Sequence, residues 1–358
     1  MKVIVIGAGI IGASIAYALS RKGASVTVLE QALPASAATS KSFGWINASS
    51  AETPEYYRLR IAAIAEQKRL ADSLGLDDAV RWHGGLWWEE EGEGLERQAN
   101  SLAALGYEID LLDRAGFSAL EPQVADPPER CIHTLMEGAA DPIGLTRALL
   151  AAAAKNGASV LAGCRVTGLI RDGDAFTTVQ TSAGQFHADR IVLAGGVGTQ
   201  TMLEAAGLHL PMDNKPGLIL HTEPVAPVID HLILSPEIHF WQKPDGAIIA
   251  GDDYGGGDMG EDLPDGPADL AARVLEKVQN RLPEIGPLNV DHIMLGVRPM
   301  PVDGFPAIGT PSGGDGLYIA TMHSGITLGP LIGRLAAESI VDGIESDFLD
   351  PYRAARFN

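Results

Sequence analysis

The sequence has few cysteines and few basic residues, and both shortages exclude classes of function. Its two cysteines, Cys131 and Cys164, are too few for a disulfide framework and do not have a metal-ligand spacing, so we expect no metal and a reducing, cytoplasmic location. Lysine and arginine number 26 against 46 acidic residues, which gives a formal charge of −20. Nucleic acids and anionic membranes bind basic surfaces, so neither is expected as a partner.

The sequence also lacks a run of roughly 20 apolar residues, the length of a membrane span. The opening residues MKVIVIGAGIIGASIAYAL superficially resemble a signal peptide, but their spaced glycines, and the strand ending in an acid that follows, favour a folded segment. Glycine, in contrast, is abundant, with 42 residues of 358. A chain longer than the ~250–300 residues of a single core predicts two domains, and the glycines predict tight turns or close ligand approaches.

The N-terminal thirty residues predict a strand, a glycine turn, a helix and a second strand that ends in an acid. The turn GAGIIG places glycines at Gly7, Gly9 and Gly12, and Glu30 follows Gly12 by 18 residues. The first glycine permits the turn, the second lets the backbone approach a pyrophosphate, and the third lets helix and strand pack closely. The helix N-terminus attracts phosphate, and the acid can accept hydrogen bonds from ribose hydroxyls. The pattern therefore predicts a dinucleotide site.

Two kinds of segment alternate along the chain. Strands and helices alternate in some stretches, whereas short strands separated by turns fill the others. The predicted fold class is α/β, with a Rossmann-like nucleotide-binding domain, a second and mostly antiparallel α+β substrate domain, and a chain that crosses between them. The nucleotide-binding domain is predicted at residues 1–82, 140–212 and 290–358, and the substrate domain at 83–139 and 213–289.

The dinucleotide is NAD or FAD, because Glu30 would repel the ribose phosphate of NADP. An NAD enzyme usually completes its sheet without a break, whereas here the pattern is interrupted near residue 83 and returns with glycine turns at 194–198 and 323–329. FAD is an extended ligand, and a chain that returns to it several times suits its length. The sequence therefore favours FAD.

Several segments, taken in order, make the chain similar to the D-amino-acid oxidase superfamily over essentially its whole length, and most similar in pattern to glycine oxidase and sarcosine oxidase-like flavoproteins. The resemblance implies an FAD-dependent enzyme that oxidises the C–N bond of an amino acid or N-substituted amino acid. Hydride passes to flavin N5, and the imine hydrolyses to a 2-oxo acid. The segments are VIVIGAGIIGASIAYALSRKGASVTVLE, SKSFGWINAS, DPIGLTRALLAAA, VLAGG, VRPMPVDGFPAIG and HSGITLGP.

The resemblance also implies where FAD is held. The turn that precedes the closing helix would direct helix N-terminal amides at the flavin N1/C2-carbonyl region, where negative charge accumulates on reduction. Some members attach FAD through a histidine near the first segment or a later cysteine; SKSFGWI has no histidine and no cysteine follows Cys164, so FAD is predicted to be noncovalent. The implied cofactor residues are Gly7, Gly9, Ile11, Gly12, Glu30, Gln31, Thr39, Ser40, Gly44, Trp45, Val166, Gly195, Gly196, Asp303, His323, Gly325, Ile326 and Thr327.

Arg298 is the implied substrate anchor, because in this family the arginine of the corresponding stretch binds the substrate carboxylate. A guanidinium suits the task, since it stays charged and binds a carboxylate at two points. Pro299 and Pro301 restrict the backbone around it. The alternative is that Arg298 forms a structural salt bridge with Asp303.

Two histidines complete the implied catalytic set. His239 lies in IHFWQKPDG, where glycine oxidase carries a substrate-facing tyrosine, so glycine itself is in doubt as substrate. His239 and Trp241 share a face of a strand, and His239 either contacts the substrate, accepts a proton or is a surface histidine. His323 precedes the closing helix, where we expect a hydrogen-bonding role rather than a general base.

Alternatives to this function stay open at the level of sequence. One is a dehydrogenase subunit that passes electrons to a partner protein, and another is a flavoprotein that oxidises a hydroxy acid. A third, of a different class, is a non-catalytic FAD-binding protein. The sequence leaves open a homo-oligomer or an electron-acceptor partner and does not choose between oxygen and another acceptor.

Overall fold

Three of the described α-helices begin at a side-chain cap, which is Thr53, Asp113 or Asp141. The computed structural model describes residues 1–77, 79–251 and 266–357. The Oγ1 of Thr53 accepts a hydrogen bond from the Tyr56 amide at the start of the second helix, which ends at Gly75 in the left-handed conformation. The α-helices are α1 (Ile10–Arg21), α2 (Pro54–Leu74), α3 (Glu93–Ala104), α4 (Arg114–Leu120), α5 (Pro142–Lys155), α6 (Thr199–Ala205), α7 (Pro267–Arg281) and α8 (Gly325–Ala337).

Most of the strands are short. They are β1 (Lys2–Ile6), β2 (Ser25–Leu29), β3 (Trp45–Ile46), β4 (Val80–Arg81), β5 (Gly85–Trp87), β6 (Ile109–Asp113), β7 (Arg130–Thr134), β8 (Gly138–Ala140), β9 (Ser159–Leu161), β10 (Val166–Asp172), β11 (Ala175–Thr181), β12 (Gly184–His187), β13 (Arg190–Leu193), β14 (Lys215–Thr222), β15 (Leu232–Leu234), β16 (His239–Gln242), β17 (Ile248–Gly251), β18 (Val290–Arg298), β19 (Ala307–Gly309) and β20 (Leu317–Thr321).

A six-stranded sheet in the order β19-β20-β13-β1-β2-β9 forms the Rossmann-like part. Its neighbours run parallel except for β19 and β20. Val3 to Ile6 of β1 are all buried, because one face of the sheet packs against helix α1 and the other packs against the three-stranded sheet that contains β11. This arrangement confirms the predicted α/β class with a Rossmann-like nucleotide-binding part.

An eight-stranded sheet in the order β18-β14-β17-β16-β15-β5-β7-β6 forms the second part. It is antiparallel apart from the β15–β5 pair, which confirms the predicted second, mostly antiparallel sheet. β18 pairs with β14 along its whole length, so the strand that carries Arg298 belongs to this sheet. The two remaining sheets have three strands each, in the orders β10-β11-β12 and β3-β8-β4.

Helix α8 begins earlier than the sequence suggested. We expected a glycine-containing turn over residues 323–329, but the helix starts at Gly325. The glycines provide room for close packing on α1: a Cβ at Gly333 would lie 2.6 Å from the Ser14 carbonyl oxygen, and one at Gly329 would lie 3.1 Å from Ser14 Oγ. Among the described residues, no helix combines the length and apolar character needed to cross a membrane.

The α1–α8 contact predicts the effect of one added methyl group. We expect Gly333→Ala to destabilise the protein by about 1–3 kcal/mol, because overpacking forces two backbones apart. Urea unfolding measures the change. Gly198→Ala is the matched control, since a Cβ there meets nothing within 4 Å. Equal stabilities for the two variants would contradict a tight helix contact.

Candidate active site

The glycine turn after β1 has no room for side chains. Gly7 has φ 102°, and a Cβ there would lie 2.3 Å from the Ala194 carbonyl oxygen. A Cβ at Gly12 would lie 1.9 Å from the Gly7 carbonyl oxygen, and one at Gly9 would lie 3.0 Å from Thr39 Oγ1. The turn therefore presents bare backbone at the N-terminus of α1, the arrangement that holds a pyrophosphate.

Glu30 lies at the end of β2, next to this turn. Its Oε2 accepts a hydrogen bond from the Ala8 amide at 2.9 Å, and its Oε1 accepts one from the Ala32 amide at 2.9 Å. A carboxylate has about four acceptor sites, so the two oxygens can also accept from ribose hydroxyls. Gln31, which follows Glu30, is exposed. Thr39 Oγ1 accepts from the Ile10 amide at 3.0 Å, which fixes the start of α1.

The remaining residues predicted for the adenosine half lie near the same edge of the sheet. Gly195 and Gly196 follow β13, and a Cβ at Gly7 would lie 3.4 Å from the Gly195 Cα. The Cys164 amide donates to the Glu30 carbonyl oxygen at 2.8 Å. The connection to Val166, the first residue of β10, therefore passes beside Glu30. The geometry fits the adenosine and pyrophosphate of a dinucleotide.

The chain then runs from Ser40 through the segment 44–50. Gly44 has φ 85° and its Cβ would lie 2.4 Å from the Ala140 carbonyl oxygen. The Trp45 indole Nε1 donates to Glu137 Oε2 at 2.9 Å. The carbonyl of Trp45 accepts from Thr327 Oγ1 at 3.4 Å, which joins this segment to α8.

Glu137 is a buried carboxylate that sequence reasoning missed. It is 0% exposed, and its Oε1 accepts from the amides of Ala48 at 3.2 Å and Ser49 at 3.0 Å. The hydroxyls of Tyr107 and Thr134 donate to it at 2.9 and 3.1 Å. Burial, and then the Glu137 charge, raise the pKa of the Tyr107 hydroxyl, so this tyrosine stays a donor. Glu137 therefore fixes the backbone of the segment 44–50.

The N-terminus of α8 meets the N-terminus of α1. A Cβ at Gly325 would lie 3.4 Å from the side chains of Ile10 and Ile11. Ile326 and Thr327 are buried in the same first turn. The structure therefore brings the residues predicted for the pyrophosphate and for the flavin ring to adjoining helix N-termini, although these residues are more than 300 positions apart in the chain.

Arg298 extends from the end of β18 over a glycine of the neighbouring strand. A Cβ at Gly217 would lie 3.0 Å from Arg298 Nη2, so Gly217 leaves room for the guanidinium, a role that the sequence did not reveal. Asp303 does not pair with it. The Asp303 carboxylate instead binds Arg356, at 2.8 Å from Nε and 3.0 Å from Nη2, which replaces the predicted alternative of an Arg298–Asp303 salt bridge.

Two cations act on the His323 ring. Its pKa is lowered to about 4, first by loss of hydration and then by the positive charges of Arg298 and Arg60. His323 is exposed, so hydration opposes the first cause, whereas the positive charges of the two guanidiniums still lower the pKa. Its Nδ1 lies 3.3 Å from Ser324 Oγ. A neutral ring with this contact agrees with a hydrogen-bonding role.

His239 has a carboxylate partner, so it is not a simple surface histidine. Its Nε2 lies 2.5 Å from Glu89 Oε1, and its side chain is 13% exposed. Its ring centroid lies 6.5 Å from that of Phe43. Trp241, on the same face of β16, donates from Nε1 to the Phe43 carbonyl oxygen at 2.9 Å. Both side chains thus approach the chain just before Gly44.

Comparison with known proteins agrees with this geometry. The DAO family model, described as FAD dependent oxidoreductase, matches residues 2–339. The chain belongs to this family. Glycine oxidase of Pseudomonas aeruginosa is 28% identical to it over 98% of this chain and 97% of that protein. One of the subunits of opine oxidase from Rhizobium meliloti is 27% identical over 99% and 97%. The crystal structure of L-proline dehydrogenase from P. horikoshii has a TM-score of 0.89 and 22% identity over 99% of this chain and 97% of that one.

Membership of the DAO family confirms the resemblance found in the sequence. The protein is an FAD-dependent oxidoreductase, which removes NAD and a non-catalytic binding role as alternatives. The bare glycine turn, the carboxylate of Glu30 and the adjoining N-termini of α1 and α8 fit an extended FAD. The individual contacts of the cofactor residues stay predictions. Among them, the Asp303 carboxylate is already bound by the Arg356 guanidinium.

Replacing the buried acid by its amide tests the anchoring of the segment 44–50. We expect Glu137→Gln to lower the free energy of unfolding by about 1–3 kcal/mol, because an amide nitrogen would face donors that now bind a carboxylate oxygen. Chemical denaturation measures the loss. Exposed Glu129→Gln is the control, and a Glu137→Gln variant as stable as this control would contradict the anchoring role.

The lowered pKa of His323 predicts a pH dependence of stability. Because the pKa of His323 lies near 4 in the folded protein and at 6.5 in a model compound, the unfolded chain binds this proton first on acidification. Its contribution is therefore present above pH 6.5 and is lost as the pH falls towards 4. We expect His323→Asn to show a smaller loss of stability between pH 7 and 5 than the parent protein in urea unfolding. If the parent protein and His323→Asn lose the same stability between pH 7 and 5, the ring of His323 is not held neutral by the fold.

Proposed function

We propose that the protein oxidises the C–N bond of an amino acid or N-substituted amino acid whose carboxylate binds Arg298. The observation that carries the proposal is a guanidinium held over Gly217, close enough to His323 to lower the pKa of that ring. A fixed guanidinium binds a carboxylate at two points and so orients the substrate Cα. Bound FAD would supply the acceptor for the hydride that leaves this carbon, and water would hydrolyse the imine to a 2-oxo acid.

His323 and its neighbours would orient the substrate without removing a proton from carbon. A histidine with a pKa near 4 is a weak base at neutral pH. Its contact with Ser324 Oγ supports a positional role. A substrate amine in its neutral form would be favoured beside two guanidiniums, because an ammonium group there would be repelled.

The sheet registers support a substrate longer than glycine. Ile219 pairs with Gly251, and Gly251 pairs with His239, so these residues share one face with Gly217, two positions before Ile219. Two strand spacings and two residues separate Gly217 from His239, which corresponds to roughly 12 Å between their Cα atoms. Arg298 and the Glu89–His239 pair would then bind opposite ends of the substrate, and the second end would carry a polar group.

A partner-dependent dehydrogenase is the second candidate. It is favoured by the opine oxidase relative, whose name describes it as a subunit. Slow reaction of the reduced protein with oxygen would favour this candidate, and fast reaction would favour an oxidase. We further propose noncovalent FAD, a cytoplasmic location, and an FAD-binding domain of residues 1–82, 140–212 and 290–358 beside a substrate domain of residues 83–139 and 213–289, with β18 contributing to the substrate sheet.

The visible spectrum of FAD-loaded protein tests the reaction and the anchor together. We expect the flavin bands to bleach on anaerobic addition of one class of amino acid or N-alkyl amino acid. Arg298→Ala should raise the substrate concentration for half-maximal bleaching by about 100-fold or more, since a charge-assisted two-point contact is lost. Arg356→Ala, which frees Asp303 in the same stretch, is the matched control.

The possible outcomes separate the alternatives. If only hydroxy acids bleach the flavin bands, the proposed substrate class would be hydroxy acids rather than amino acids. If Arg298→Ala and Arg356→Ala need the same substrate concentration for half-maximal bleaching, Arg298 does not anchor the substrate carboxylate. A glycine response as strong as that of longer substrates would contradict the inferred length of the site.

A further inference from the structure

Arg60 is a buried cation that the sequence did not single out. It lies on α2 and is 4% exposed. Its Nη1 donates to Asn47 Oδ1 and, at 2.8 Å, to Ser50 Oγ, while its Nη2 donates to Ser324 Oγ. The contact with Ser324 links residues that are 264 positions apart, so α2 and the start of α8 are joined through this side chain.

The partners of Arg60 are all neutral. They are one amide oxygen, two hydroxyls and the Tyr56 ring, whose centroid lies 4.7 Å from the guanidinium. Its Nε has no hydrogen-bond partner. Within residues 1–77, 79–251 and 266–357 no carboxylate forms an ion pair with Arg60. A buried charge without a counter-charge costs several kcal/mol of stability. A function for the positive charge of Arg60 would account for its presence at this position.

The positive charge of Arg60 acts on the predicted flavin end of the site. Ser324, which receives the Nη2 bond, is the N-cap of α8 and has φ 55°. The helix begins there with its positive dipole end. Arg60 also lowers the pKa of His323, so its field reaches the side chain beside Arg298. Its burial keeps it from touching a substrate and protects its charge from screening by salt.

We propose that Arg60 is a positioning residue that, through Ser324, adds its charge to the N-terminus of α8 and so makes the bound flavin easier to reduce. The proposal rests on the proposed function, because it assumes FAD beside α8. A hydride carries its electron pair from the substrate carbon to the acceptor, so one negative charge arrives with it and the imine keeps the positive charge. A fixed cation near that acceptor stabilises the arriving charge in a low-dielectric site.

The decisive measurement is the midpoint potential of the bound FAD, obtained by dye equilibration. We expect Arg60→Gln to disfavour reduction at least tenfold in the equilibrium constant, which is about 30 mV for a two-electron couple. Arg60→Lys keeps the charge and should lie between Arg60→Gln and the parent protein. Arg58→Gln is the matched control, since it removes an exposed arginine two residues away on the same helix, and it should change the constant less than twofold.

Binding of acetate to the oxidised protein separates this role from substrate binding. We expect Arg298→Gln to weaken acetate binding, and Arg60→Gln to leave it within about twofold. The proposal would be overturned if both variants bound acetate more weakly and the midpoint potential of FAD in Arg60→Gln were unchanged. Arg60 would then be assigned to binding of the substrate carboxylate. A folded, FAD-loaded Arg60→Gln with an unchanged potential would also overturn it.

Further variants keep the test decisive if Arg60→Gln does not fold. Ser324→Ala removes the hydroxyl that receives the Arg60 bond, and it should lower the potential in the same direction with the helix intact. An unchanged potential in Ser324→Ala would overturn the proposal, because the route from Arg60 to α8 through this hydroxyl would then carry no effect. Failure of the parent protein to bind FAD would instead overturn the proposed function, so the two failures are distinguishable.

Discussion

The hydrogen bonds around one buried carboxylate hold together the parts of the site. Glu137 accepts from the indole of Trp45 and the amides of Ala48 and Ser49, and thereby fixes a segment that has little regular structure of its own. Arg60 holds the same segment through the side chain of Asn47. Two buried charges of opposite sign thus act on one stretch of chain, each bound to neutral dipoles rather than to the other.

The rest of the site follows from that fixed segment. The carbonyl of Trp45 and the amide of Asn47 bond to Thr327, so the position of α8 depends on the same residues that Glu137 orders. Helix α8 in turn packs on α1 through Gly329 and Gly333. The glycine turn after β1, the segment 44–50 and the eight-stranded sheet are therefore joined by direct contacts, the last through the bond from Thr134 to Glu137, although they come from distant parts of the chain.

The sequence predicted what depends on local pattern. The glycine turn, the helix that follows it and the strand that ends at Glu30 were predictable, because turn residues and hydrophobic period act over a few residues. Glu137, Arg60 and Gly217 were not, because their roles arise only through contacts between segments: Trp45 and Glu137 are 92 positions apart. The early start of α8 was missed because its glycines, which indicate turns in a sequence, here allow two helices to approach closely.

The close crossing of α1 and α8 has a consequence for the choice among flavins. Because a Ser14 backbone atom would lie 2.6 Å from a Cβ at Gly333, the two helices cannot approach further, and the distance between their N-termini is set by main-chain contact. A riboflavin phosphate without the adenylate half could occupy one of these helix ends but would leave Glu30 without a ribose. If Glu30 binds the ribose as predicted, discrimination between the mononucleotide and the dinucleotide would depend on molecular length, which the fixed spacing of the two helices would set.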